Sequence, residues 1–357
     1  MLLNPETRAL LQSFTAAMAE TYGVESSRQM FSITPPMDTH LRKAIIESND
    51  FLQLINMLTV NNITGQVVAT GNPGLFTGRK AEGRFSRRLD NSGNKYELVE
   101  TDSGAHLDYS TLVAWANAGG EDEFFNKIQT FVNESFGLDI LRVGFNGTHV
   151  AEGDTDPETY PNGEDINKGW QAIVEERSPG QVITDAITIA RPRKGADFIG
   201  LDAAANDLRQ TLIHPAFRNR PDLVVLAGRD LVAADTTSLL NEIDAPSEKV
   251  AAQLINRKVA GMTLYSPPFI PDGQLTVTTL WNLHVYNQKG TGYRRADWSD
   301  DRKRFENNYL RMEGFGVEYD EIYASFDHIE VLDPDAGNEP AQGSQDAGNE
   351  PAQGSGE

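Results

Sequence analysis

Asp102-Ser103-Gly104 is the triplet on which aspartic proteases mount a catalytic carboxylate. That chemistry needs two carboxylates close enough to share one proton. The chain carries the triplet once, so hydrolysis would require a homodimer or a divergent second arm. The plainer reading is a turn between two strands. Asp154, Asp156, Glu158, Glu164 and Asp165 could attract calcium, but the glycine an EF-hand needs at its sixth position is missing. A solvated acidic loop is the better reading.

The six histidines, His40, His106, His149, His214, His284 and His328, include no pair at helical ligand spacing. Cysteine is absent, which removes disulfides, thiolate nucleophiles and Cys-based metal sites. Gly74 to Lys80 resembles a phosphate loop only superficially, because the spacing is wrong and no Ser or Thr follows the lysine. No catalytic, cofactor-binding or metal-binding residue is assigned, and the chain reads as a non-enzyme.

The elements that would position any site come from a chain of 357 residues, long enough for two domains or one elaborated subunit. Its 39% hydrophobic content supports a sizeable core. Against 31 basic residues stand 52 acidic ones, a net charge of −21 that repels phosphate backbones. No apolar run reaches the roughly 18 residues of a membrane span, and Met1 to Glu6 lacks the basic flank of a signal peptide. Synthesis in the cytoplasm, without a membrane partner, is expected.

Asn4, Pro5 and the apolar spacing of Leu10, Leu11, Phe14, Met18 and Tyr22 predict a helix stopped by Gly23. The polar link and Pro35-Pro36 that follow predict that this helix is tethered to the body without being integrated into it. A second helix carries Leu41, Ile45 and Leu52. Alternation over Ile63 to Thr70 and Tyr96 to Tyr109, around a Gly-rich middle, predicts a long two-stranded excursion. Residues 61 to 100 hold six basic and four acidic side chains, a local +2 within an acidic chain. Arg79, Lys80, Arg84, Arg87 and Arg88 are therefore candidates for contact with an acidic neighbour; a solvated loop is the plainer alternative.

Phe124, Phe125, Ile128, Phe131, Val132, Phe136, Leu141 and Phe145 predict a long helix over 121–145, ended by Gly144 and Gly147, with a bend or close contact at Gly137. A short helix over 166–176 follows. Strands are expected at 182–189, 223–227, 259–265, 275–280 and 284–286, and helices at 200–213 and from Asp230. Met312 to Leu332 suits a long late strand or a strand pair. The segment from Asp335 to Ser344 recurs at Asp346 to Ser355, and residues 333–357 carry six acids, no bases and nothing to form a core, so this tail is expected to be disordered. The fold class is α+β. Protrusions with so little visible chemistry favour a part that interlocks with copies of itself.

Several colinear stretches sharpen this. Pro5-Glu6-Thr7-Arg8, Ser48-Asn49-Asp50-Phe51-Leu52, Gly93-Asn94-Lys95-Tyr96-Glu97, Gly144-Phe145-Asn146-Gly147, Asp165 to Trp170, Gly195-Ala196-Asp197-Phe198, Arg220 to Arg229 and Pro267-Pro268-Phe269-Ile270-Pro271 cover residues 5 to 332 in order. In these the chain resembles the major capsid proteins of P2-like tailed bacteriophages, whose family adopts the HK97-type capsid fold. The resemblance implies a helical assembly segment at 1–31, an N-arm at 32–58, an extended β loop at 59–110, a peripheral domain with its spine helix at 111–180, an axial domain at 181–310 and return strands at 311–332, ahead of the 333–357 tail.

It also implies a structural protein of the virion that self-assembles into hexamers and pentamers of an icosahedral T=7 head around double-stranded DNA. The partners implied are an internal scaffold, a prohead protease and a portal protein, with DNA enclosed but not read. The protease would remove the N-terminal segment, and Phe31-Ser32, on an exposed link, is the candidate site. A tail or decoration protein is the runner-up, and a hydrolase using Asp102 is a more distant one.

Overall fold

The computed structural model describes residues 5–67, 75–86, 94–117, 120–190, 195–242 and 258–332. Arg87, Arg88 and the repeat tail lie outside the described residues. The N-terminal third runs α1 (Pro5–Tyr22), β1 (Phe31–Ser32), α2 (Pro35–Glu47), β2 (Asn56–Val60), β3 (Thr64–Gln66), β4 (Lys95–Glu97), β5 (Val99–Asp108) and α3 (Tyr109–Asn117). The middle runs α4 (Glu121–Asn146), α5 (Trp170–Arg177), β6 (Val182–Ile183), β7 (Ile187–Ile189), α6 (Gly200–Thr211), β8 (Leu223–Ala227) and α7 (Arg229–Glu242). The rest runs β9 (Lys258–Val259), β10 (Met262–Tyr265), β11 (Leu275–Thr279), β12 (Leu283–Gln288), β13 (Tyr293–Ser299), β14 (Arg304–Val317), β15 (Ala324–Phe326) and β16 (Ile329–Val331).

One sheet is organised by β14. Antiparallel β5 pairs along one side of it, from Arg304↔Asp108 to Glu313↔Val99. On the other side β13 and then β12 lie end to end, with Tyr293 opposite Leu310 and Asn287 opposite Glu313. The N-terminal strands close that edge, β1 antiparallel on β13 and β2 parallel on β12. Against the sheet packs α4, about 39 Å long at 1.5 Å per residue, burying Phe124, Ile128, Val132, Phe136, Ile140 and Leu141. Each such side chain contributes about 1.5–3 kcal/mol relative to exposure. Gly137 lets α2 approach: a Cβ there would sit 2.8 Å from Ser48 Oγ and 3.2 Å from the Ile45 carbonyl.

A second sheet, ordered β6-β15-β11-β8-β10-β9, holds the other core. Its centre, β8, is buried at every residue, the mark of a strand covered on both faces. Leu201, Ala204, Ala205 and Leu208 of α6 and Leu231 of α7 belong to that core. The link back to α4 is the turn at Pro267 to Pro271. There Phe269 adopts φ +63°, the Asn146 side-chain amide donates to its carbonyl at 2.8 Å, and the Arg142 guanidinium lies 4.2 Å over its ring.

Four expectations need correction. The first helix is integrated, not merely tethered: Leu11, Phe14 and Met18 are members of the main core, because the link through Ser27 runs alongside β13 and carries the helix back onto α4. Gly144 does not end the spine helix, which continues to Asn146; it sits inside, where the Trp170 ring leaves no room for a Cβ. The late strand begins at Arg304, not Met312, and β13 and α3 were not foreseen. The strands escape apolar alternation because their inward positions include Arg294, Asn307 and Arg311. Finally, the second arm of the excursion is short: only Lys95 to Glu97 pair back on β3, while Val99 to Asp108 join β14 in the first sheet.

Candidate assembly surfaces

Asp102 lies in the middle of β5, opposite Leu310, and not in a turn. Strand alternation leaves Asp102 exposed and buries Ser103. The Ser103 hydroxyl accepts a hydrogen bond from Arg311 Nη1 at 2.8 Å, while Arg311 Nε and Nη2 donate to the two oxygens of Glu313 at 2.8 Å each. Partial burial raises the Asp102 carboxyl above its ordinary value, with Arg311 pulling it down and Glu100 adding to the rise. A cavity of about 460 Å³ lies beside it, lined by Asp139, Arg142, Tyr160 and Arg311 among others. The serine is thus held by an arginine, and among the described residues no general base is bonded to it.

The acidic loop is stapled to itself. Asp156 accepts from the Glu158 and Thr159 amides and from the Thr159 hydroxyl, bonds that lower its carboxyl's pKa. Asp165 accepts from the Asp156 amide at 2.7 Å. Among the described residues no group of three or more His, Asp or Glu could hold a metal ion, and no helix is long and apolar enough to cross a membrane.

The excursion has a rigid base and an exposed far end. At its base β3 and β4 pair over Thr64 to Gln66 and Lys95 to Glu97, and Tyr96 stacks on Tyr286 of β12 at 4.5 Å between ring centroids. The Asn94 amide donates to the Glu318 carbonyl at 3.2 Å. Farther out, Arg79, Lys80 and Arg84 are exposed and form no ion pair with a described residue. Leu75, Phe76 and Phe85 beside them are exposed at 70%, 42% and 38%. Elsewhere Glu121, Asp122, Glu152, Asp154 and Glu158 are exposed and likewise make no ion pair with described residues.

Phe31-Ser32 is not an open link. It pairs with Arg294 and Tyr293 of β13, and the Phe31 ring packs 5.4 Å from Tyr22. The two residues before it, Gln29 and Met30, are exposed.

Sequence reasoning missed a buried polar group under the excursion. His284 Nδ1 meets the Tyr286 hydroxyl at 2.7 Å, its Nε2 meets the Trp281 carbonyl at 3.0 Å, and Glu318 Oε2 lies 3.5 Å away. Burial pushes the imidazole below its ordinary pKa and pushes the Glu318 carboxyl above its own. An isolated histidine in a strand carries no spacing signal; only the fold brings these groups together.

The profile of the family described as "Phage major capsid protein, P2 family" matches residues 10–329. The chain belongs to that family. This major capsid protein is 28% identical over 334 residues to the capsid proteins of Escherichia phage P2, covering 89% of this chain and 91% of that one. It is 26% identical over 351 residues to the major capsid protein of Serratia phage KSP20, covering 93% and 99%. Among solved structures it is similar to a chain of the satellite phage P4 procapsid with its size determination protein, at a TM-score of 0.72 and 25% identity over 93% of this chain and 99% of that one. The α+β architecture is therefore that of a phage capsid subunit, a virion component that builds a shell from copies of itself.

Proposed function

We propose that this capsid protein forms hexamers and pentamers of an icosahedral head with HK97-type, T=7 geometry, enclosing double-stranded DNA without reading its sequence. The observation that carries this reading is the excursion, whose base is stacked on its own chain at Tyr96 while Arg79, Lys80 and Arg84 project without an ion pair to described residues. Those cations, with Arg87 and Arg88, contact acidic surface on an adjacent copy, for which Glu121, Asp122, Glu152, Asp154 and Glu158 are exposed candidates. Single exposed pairs are worth only about 0–1 kcal/mol, but a shell repeats each of them at every subunit. The net charge of −21 suits a container whose wall must not hold its DNA.

Assembly in the host bacterial cytoplasm would engage an internal scaffold, a portal protein and a prohead protease. Cleavage between Phe31 and Ser32 requires the protease to lift β1 from β13. Negative-stain imaging of the chain expressed with scaffold and protease is expected to give closed shells. Tubes or trimers would instead make it a tail or decoration component, and a monomeric peptidase silenced by Asp102→Asn would make it a hydrolase. The intact mass of protein from mature particles should correspond to a chain starting at Ser32; a chain starting at Met1 refutes the processing step.

A further inference from the structure

The cleft between α3, α4 and β13 is filled by α1, and every described anchor of that helix and its link lies before Gln29. Leu11, Phe14 and Met18 are buried to within 4%, 3% and 6% residual exposure. Phe14 is wedged edge-on between Phe125 of α4 and Phe305 of β14, at centroid distances of 5.3 and 5.7 Å. Tyr22 accepts from Arg294 Nη1 at 2.9 Å, and Arg294 is itself 7% exposed. Ser27 exchanges bonds with Ala296: the Ala296 amide donates to the Ser27 carbonyl at 2.8 Å, and the Ser27 hydroxyl donates to the Ala296 carbonyl at 3.1 Å. Arg295 Nε donates to the Arg28 carbonyl at 3.1 Å. Beyond them Gln29 and Met30 are exposed, and β1 is held separately by β13.

A cut in the chain after Arg28 therefore breaks no contact that holds the segment in place. Departure of the segment, by contrast, would bare Phe125 and Phe305 and leave the buried Arg294 without its tyrosine partner, both unfavourable. We propose that this cleft is a binding site for an amphipathic helix, that its occupant is residues 5–28 of this chain, and that the segment remains docked noncovalently after the backbone is severed. The proposal gives the processing step under Proposed function a product, a clipped segment retained by the subunit, but its test does not depend on assembly.

The test uses the full chain with a specific protease site inserted between Gln29 and Met30. After cutting under native conditions, the N-terminal fragment should co-elute with the body in size exclusion and appear bound to it in native mass spectrometry. Phe14→Ala should speed its release at least tenfold, while Gln12→Ala, on the exposed face of α1, should not. A fragment that separates from the body, whether the body stays soluble or precipitates, overturns the proposal. Hydrogen exchange on the uncut chain gives a second reading that needs no cut. Amides of residues 11–18 should exchange no faster than those of α4, and independent fast opening of 11–18 also overturns it. Failure here with a Ser32 start in mature particles would refute retention alone; a Met1 start with a retained fragment would refute processing alone.

Discussion

Tyr96 and Tyr286 lie face to face, ring centroids 4.5 Å apart and planes inclined by 16°. This contact joins the excursion to the first sheet, with Val67 and Leu98 completing a small core around it. Gly65 sits directly beneath the Tyr96 ring, where any Cβ would collide with it. Tyr96→Ala should therefore cost about 3–5 kcal/mol, the range for deleting a buried aromatic ring, and free the excursion before the rest of the subunit unfolds. Hydrogen exchange over 64–66 and 95–97, with urea unfolding alongside, would measure both; Tyr96→Phe should keep the stack and most of the stability.

The Arg311–Glu313 pair is buried on both partners, with side chains 3% and 4% exposed. Glu313→Ala would strand the guanidinium, and a loss of about 3–5 kcal/mol is expected. Arg311→Met combined with Glu313→Leu should be close to neutral, because the desolvation cost of the pair disappears with it. Denaturant midpoints of the two variants decide the matter; equal losses would mean the pair is net stabilising.

His284 sets a pH dependence of definite sign. Its folded-state pKa is held below the ordinary value by burial, so the unfolded chain takes up the proton more readily. Stability is then complete above the unfolded value of about 6.5 and falls as pH drops below it. Tyr286, Glu318 and the Trp281 carbonyl face the ring, and burial raises the Glu318 carboxyl above its ordinary value as well. Urea midpoints measured between about pH 8 and about pH 5.5, straddling the unfolded value, should decline less in His284→Gln than in the parent.

At Phe269 the backbone conformation opposes the residue type. Its φ of +63° is left-handed, a region costing a non-glycine residue about 1–2 kcal/mol. Both Phe269→Gly and Phe269→Ala lose the contact with Arg142, but only the first relieves the backbone. The glycine variant should be the more stable of the two by about 1 kcal/mol, read from thermal midpoints. The opposite order would mean that the turn relaxes when the ring is removed.

Reversing the exposed Arg79, Lys80 and Arg84 to glutamate should change the isolated subunit's unfolding free energy by no more than about 0.5 kcal/mol each, as exposed substitutions usually do. Assembled particles should in contrast form poorly or fall apart at lower temperature. Particles with unchanged salt and heat resistance would remove this loop from the inter-subunit contacts.

The spine helix was legible because eight large apolar residues recur at helical spacing, and β8 because Leu223 to Ala227 is an uninterrupted apolar run. Of the excursion only its base was legible: Thr64 to Gln66 pair with Lys95 to Glu97, but the alternation that continues to Asp108 serves β14 instead. What the sequence hid is the polar interior: β13 and β14 bury Arg294, Asn307, Arg311 and Glu313, held by Arg294 on Asn307 and Arg311 on Ser103 across strands and by Arg311 on Glu313 within β14. Docking of α1 was hidden for a related reason. Its apolar stripe is visible in the sequence, but the surface it covers is assembled from Phe125 and Phe305, 180 positions apart.

The pairing of β1 with β13 and of β2 with β12 also fixes an order in time. Phe31 waits for Arg294, and Asn56 for His284. At the usual pace of synthesis, about 5–20 residues per second, the N-terminal strands spend roughly ten to fifty seconds without their partners. Tyr96 likewise has nothing to stack on until Tyr286 leaves the ribosome. A nascent subunit thus becomes competent to engage its neighbours only near the end of its own translation, a delay written into strand order. Ribosome-bound chains truncated before residue 283 should accordingly be cleaved by added protease within residues 31–60, and full-length chains should resist.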